Sequence, residues 1–191
     1  MSPNSGNRFG GYRHAQAKNR AATPLWWEET GLTDKTPKYA YEDFTQGLKL
    51  PFGPLTITND EIIEFAREFD PQPFHLDEEA GKASVLGGLA ASGWHTVSLF
   101  MRMVWDAYLK DSTSQGSPGI EFNRWKRPVL AGDTLSGFST VLDRRRSKSM
   151  PHVGFLTVHN EIVNQRGEVV CELQHTAMVG LRNPEREGDA A

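Results

Sequence analysis

Apolar side chains recur along this chain with two different periods, and the architecture changes where the period does. Thr58-x-x-Glu61 is a capping box, and Ile62, Phe65, Ala66 and Phe69 then fall at helical spacing. Gly87-Gly88 breaks the chain, and Ser92 opens the longest helical run. From Gly93 to Lys110 apolar residues occupy almost every side: Trp94, Val97, Leu99, Phe100, Met101, Met103, Val104, Trp105, Tyr108 and Leu109. A helix without a clean polar face predicts one buried among other elements, and this one would span roughly 27 Å. In this reading Trp94, Trp105, Met101 and Met103 are core residues. After a polar loop over 111–119 the period drops to two. Ile120 and Phe122 alternate, Leu135 to Leu142 reads as a strand with a bulge at Gly137, and Val153 to Val163 is rich in β-branched residues. Asn164-Gln165-Arg166-Gly167 closes a hairpin onto the clearest strand, with Val169, Cys171, Leu173, His175, Ala177, Val179 and Leu181 on one face. One buried helix followed by long antiparallel strands predicts an α+β domain, its sheet curled around the helix. A sheet with open edges predicts pairing between copies of the chain.

Between the two helices lies Phe69-Asp70-Pro71-Gln72-Pro73-Phe74-His75-Leu76-Asp77. Two prolines fix φ and bias the residue before each away from helix, so the stretch reads as a stiff loop. Asp70 and His75 sit five positions apart on it, and a carboxylate and an imidazole aimed at one point suit general acid–base chemistry. The residues alone leave a second reading open, in which Asp70 caps a turn and His75 is a hydrogen-bonded core residue. Asp77 reads as the cap of a short helical turn. As metal ligands, His75 and Asp77 lack third and fourth partners at a recognisable spacing, so neither a metal nor another cofactor is expected.

The 191 residues fit one domain, here residues 37–183, with an N-terminal arm over 1–36 and a charged tail over 184–191. The arm is rich in Gly, Asn, Ser and Ala, with Arg8, Arg13, Lys18 and Arg20 and no acid before Glu28, and reads as flexible. Its Leu25-Trp26-Trp27 is expected to pack on the domain or on a second subunit. The single cysteine, Cys171, excludes an internal disulfide and reads as a small core residue. A net charge of −3 with both signs mixed gives no footprint for nucleic acid. The most apolar run, Val85 to Leu109, carries Ser92, His95, Arg102 and Asp106, too many polar groups for a membrane span. Without an apolar signal segment near the start, the expected location is the cytoplasm.

The order of helix, Asp-x-x-x-x-His stretch, buried helix opened by Gly93, and a strand preceded by Arg127-Pro128-Val129-Leu130-Ala131-Gly132-Asp133 resembles the MaoC-like dehydratases. That family has the hotdog fold, and the resemblance covers about residues 40–181. The family signature, Gly-Asp-x-Asn-Pro-x-His, stands here as Phe69 to His75, with Asp70, Pro73 and His75 matching. Phe69 replaces the small glycine and is expected to narrow the space beside Asp70. Gln72 replaces an asparagine from a longer stem.

The resemblance implies a hydratase or dehydratase of 2-enoyl-CoA and 3-hydroxyacyl-CoA thioesters. Asp70 and His75 would grip a water, with His75 as the proton carrier, and the Gly93 N–H would polarise the thioester carbonyl at the positive end of the buried helix. Ser92, His95, Phe74 and Arg124 are the expected substrate-binding residues, His95 also reading as a satisfied core histidine. Arg144-Arg145-Arg146 with Lys148 reads as a solvated hairpin tip, the alternative being a hold on CoA phosphates, a role Lys126 and Arg127 share. His159 and His175 read as cross-strand residues, and His14 and His152 as surface ones. A homodimer or higher homo-oligomer is expected. Two rivals stay in view: a hotdog thioesterase, disfavoured because no carboxylate lies between Ser92 and Trp105, and a non-catalytic acyl-CoA-binding module, which Phe69 and Gln72 would allow.

Overall fold

The computed structural model describes residues 37 to 184. The arm before them, with Leu25-Trp26-Trp27 and His14, and the tail after them lie outside the described residues. A single turn of 3-10 helix, Tyr41–Asp43, leads into β1 (Lys49–Thr56). Then come α1 (Asn59–Phe69), the one-turn helix α2 (Pro73–Leu76), α3 (Glu78–Ala83) and α4 (Gly93–Ala107). Four strands finish the domain: β2 (Gly119–Trp125), β3 (Thr134–Arg146), β4 (Val153–Val163) and β5 (Val169–Gly180).

The five strands form one antiparallel sheet in the order β1-β3-β4-β5-β2. Against it lies α4. Phe100 meets Phe52 of β1 edge-on at 5.4 Å, and Met103 and Val104 join the same buried cluster as Leu135, Val141, Leu156 and Val158. Each such side chain taken fully from water contributes about 1.5–3 kcal/mol, and this packing sets the position of the helix. The arrangement is the hotdog fold, α+β, as the sequence predicts. The α1 cap forms as expected, with the Thr58 hydroxyl accepting from the Glu61 amide and the Glu61 carboxylate accepting from the Thr58 amide. Cys171 is fully buried, and that burial pushes its thiol up to about 11, so it stays a thiol.

Several expectations need correction. One side of α4 is covered and the other is open: Trp94, Met101 and Trp105 are 62%, 46% and 40% exposed, and only Met103 of the expected core group is buried. The helix also stops at Ala107, before a separate turn over Leu109–Asp111. Gly137 sits in regular register opposite Phe52 and Ile162, while the irregularities fall between Phe52 and Leu55 in β1 and between Val141 and Asp143 in β3. Glycine is needed at 137 for a different reason: a Cβ there would strike the Glu161 carbonyl and the Phe52 ring. Arg144 to Arg146 lie on β3 itself, with Arg144 over the Tyr41 ring and Arg145 over the Phe155 ring, each at 4.4 Å. His159 and His175 do face cross-strand partners, Gln174 and Val158.

Candidate active site

The site is built where α1 ends. The Asp70 N–H closes the last turn on the Ala66 carbonyl, and its backbone then leaves the helical conformation before Pro71. Pro73 then opens α2, so His75 sits on a single helical turn rather than on the loop expected, held by a Pro at the position where a missing N–H costs nothing. The His75 ring is buried, and its Nδ1 donates to the Ala90 carbonyl at 2.6 Å. Ala90 is itself anchored, bridged to Leu130, while the Ala91 amide donates to the Val129 carbonyl. In the neutral ring that bond puts the proton on Nδ1 and leaves the Nε2 lone pair free; Nε2 faces Asp70 Oδ2 at 3.6 Å. That separation is too long for a direct hydrogen bond and short enough for both atoms to hold one water.

The Asp70 carboxylate is held on both oxygens. Ser92 Oγ donates to Oδ2 at 2.6 Å and Gln72 Nε2 donates to Oδ1 at 2.8 Å. Burial works to raise its pKa, but the Ser92 and Gln72 hydrogen bonds, with the neighbouring His75, outweigh it and hold the carboxyl below its ordinary value. Asp70 is therefore an anion at neutral pH. Ser92 also caps α4, its Oγ accepting from the Trp94 amide at 3.2 Å.

At the start of α4 the Gly93 N–H has no acceptor among the described residues, as expected of a first-turn amide. The Gly93 carbonyl accepts from Trp125 Nε1 at 3.0 Å. A Cβ on Gly93 would lie 2.5 Å from the Trp125 ring, so glycine lets β2 close on the helix start. Asp70, His75, Ser92, Gly93, Phe74 and Trp125 line one open cleft of about 450 Å³, with Lys126 and Arg127 also on its walls. These two cations are exposed and paired, Lys126 with Glu172 at 2.9 Å and Arg127 with Glu168 at 3.9 Å.

Two expected contacts fall elsewhere. His95 stacks flat on Phe65, ring centres 4.4 Å apart, under α1, while Gly93, Trp94 and Thr96 are the α4 residues that line the cleft. Burial lowers the His95 pKa, against the pull of Glu61. Arg124 points off the cleft, over the Phe122 ring at 4.4 Å and onto Glu172 at 3.2 Å. Phe69 does not narrow the site, because it turns outward against Phe65 and is 64% exposed. Trp125, Thr96 and the Ala90 carbonyl were not foreseen. Trp125 and the Ala90 carbonyl reach the site through tertiary packing that leaves no local pattern, whereas Thr96 follows Ser92 by one turn of α4.

The model of the MaoC-like domain matches residues 45–163. The chain belongs to the MaoC-like dehydratase family. Among solved structures this MaoC-like protein is similar to the MaoC-like dehydratase from Rhodospirillum rubrum, with 38% identity, a TM-score of 0.68, and 75% of this chain and 97% of that one covered. The unliganded R-hydratase PhaJ1 from Pseudomonas aeruginosa, 20% identical with a TM-score of 0.59 over 75% and 86% of the two chains, shares the fold. The uncharacterized protein YdeM of Bacillus subtilis (strain 168) is 29% identical over 139 residues, 72% of this chain and 96% of that protein. Among the described residues no helix is long and apolar enough to cross a membrane, and no cluster of acidic, histidine or cysteine side chains has the make-up of a metal site.

Proposed function

We propose that this MaoC-like protein hydrates 2-enoyl-CoA thioesters, or dehydrates the 3-hydroxyacyl-CoA, in the cleft between α1 and α4. The observation that carries this is the pair His75 Nε2 and Asp70 Oδ2, 3.6 Å apart, beside the unspent Gly93 amide. The thioester carbonyl accepts from the Gly93 N–H, and a water sits between the imidazole and the carboxylate. His75 Nε2 takes a proton from that water as its oxygen bonds to the β-carbon. The carbonyl oxygen gathers the displaced electron pair and the Gly93 N–H stabilises it, a donor worth about 10²–10³ in rate. The imidazolium, stabilised by the Asp70 anion, returns the proton to the α-carbon, which leaves the 3-hydroxyacyl thioester and a neutral His75.

Gln72 keeps hold of Asp70 and Phe69 stays out of the cleft, so neither departure from the family signature disturbs the pair. Lys126 and Arg127 bring positive charge to the cleft, which suits the phosphates of CoA. The open apolar face of α4 and the unpaired outer side of β2, one of the two edge strands, favour a homodimer, and the expected location is the cytoplasm.

The test is a panel of trans-2-enoyl-CoAs of differing length, followed by loss of conjugated absorbance. Asp70→Asn and His75→Ala are each expected to lower kcat/KM by about 10²–10⁴ with an unchanged circular dichroism spectrum. Full activity in either variant removes that residue from the mechanism, and thiol release in place of hydration makes the protein a thioesterase.

A further inference from the structure

Past the cleft, α4 and the sheet enclose a second cavity of about 230 Å³. It starts one helical turn beyond Gly93, at Val97, runs by Phe100 and Val104, and meets the sheet at Leu156, Leu173 and His175. Its walls are mostly carbon, and no Lys, Arg, Asp or Glu lines it. At one side a chain of hydrogen bonds runs in a single direction. The Tyr108 hydroxyl donates to Ser139 Oγ at 2.9 Å, and Ser139 donates to Asn160 Oδ1 at 2.7 Å. The Asn160 amide nitrogen meets the Leu173 carbonyl at 3.3 Å and His175 Nδ1 at 3.2 Å.

That chain fixes the state of the imidazole. A carbonyl only accepts, so the end of Asn160 that faces Leu173 is the NH₂, and the same NH₂ obliges His175 Nδ1 to accept. The ring proton is therefore on Nε2, which has no acceptor among the described residues. Charging the ring would set a second N–H against the amide, and burial also lowers the His175 pKa, with Glu121 opposing. A mostly apolar cavity thus presents, on its sheet wall, a neutral and unspent imidazole donor. Such a donor penalises a ligand that gives it nothing and orients one that does.

We propose that the acyl chain runs from the Gly93 amide along α4 into this cavity, and that His175 selects chains carrying a neutral oxygen acceptor, a keto, ether or hydroxyl group, near their distal end. This rests on reading the cleft as the thioester site. Trp125 pairs with Cys171 and Ile120 with His175, so the donor lies about 13 Å along β5 from the strand position that faces Gly93. That distance places the oxygen in the outer part of a medium-length chain. A carboxylate fits less well, since no cation lines the cavity to offset its desolvation.

The test is titration calorimetry of octanoyl-CoA against analogues in which an ether oxygen replaces each distal methylene in turn, which needs no turnover. One oxygen position is expected to bind the wild type roughly three- to tenfold more tightly than octanoyl-CoA. His175→Phe is expected to erase that preference, and His175→Gln, whose amide nitrogen stands near the place of Nε2, to keep it. The proposal is overturned if no ether analogue outbinds octanoyl-CoA in the wild type, or if the preference survives in His175→Phe. If His175→Phe fails to fold, the wild-type series and His175→Gln decide. Selective binding without hydration of any enoyl-CoA would sink the hydratase reading and leave this one standing, whereas hydration with no preference for oxygen would sink this one alone.

Discussion

Ser92 ties the candidate base pair to the helix that carries the Gly93 amide, and removing its hydroxyl tests that link directly. In Ser92→Ala the Asp70 carboxylate loses a 2.6 Å charge-assisted hydrogen bond, and α4 loses the acceptor for its Trp94 amide. A hydrogen bond to an ionised group contributes about 1.5–3 kcal/mol, and one pKa unit corresponds to about 1.36 kcal/mol. The Asp70 pKa is therefore expected to rise in the variant, because the hydrogen bond that favours its ionised form is gone. Carboxyl-carbon NMR titration reads this, with Asp70→Asn identifying the resonance.

The same substitution has a signature in stability. A depressed carboxyl pKa contributes stability that is present above the unfolded value near 3.9 and lost as pH falls through the folded one. Asp70 is of this kind, because its hydrogen bonds outweigh the burial that works against ionisation. At pH 7 the variant forfeits both the carboxylate bond and the helix cap, about 2–4 kcal/mol together. Urea unfolding at pH 7 measures the full gap, and the gap is expected to narrow once the pH falls below the wild-type Asp70 pKa. An Asp70 titration that the substitution leaves unmoved, or a stability loss below about 1 kcal/mol at pH 7, would refute this account of how the carboxylate is held.

Two further outcomes follow from the packing. Gly154→Ala drives a Cβ into the Tyr41 ring, and overpacking of this kind is expected to cost about 1–3 kcal/mol in urea unfolding without altering the cleft. Met101→Glu combined with Trp105→Glu places two carboxylates on the open face of α4, and sedimentation velocity is expected to show a dimeric wild type and a monomeric variant; an unchanged sedimentation coefficient would mean that this face is not the contact.

How much of this was legible in the chain depends on the distance over which each contact acts. The capping box of Thr58 and Glu61, the proline stretch that ends α1, and the Asp70–His75 pair are built from residues within five positions of one another. Backbone sterics and hydrogen bonding fix such local features, so the residue order exposes them. The partners that hold the pair act across the chain. Ser92 reaches Asp70 across 22 positions, and Trp125 reaches Gly93 across 32. Only the packed sheet and helix bring those together.

The two misplaced binding residues fail for the same reason. Arg124 is one strand position from Trp125, and side chains on a strand alternate, so one residue of register decides which of them meets the cleft. His95 is one helix position from Thr96, a rotation of about 100°, and that rotation puts the imidazole under α1. The all-apolar run of α4 misled in a related way. Hydrophobicity alone does not say which face of a helix its own domain covers, so Met103 and Met101 read alike in the sequence while one is 3% exposed and the other 46%. The apolar pattern alone therefore does not report burial within this domain, and the excess of apolar surface on α4 over what the domain covers is itself the argument for the proposed partner on that face.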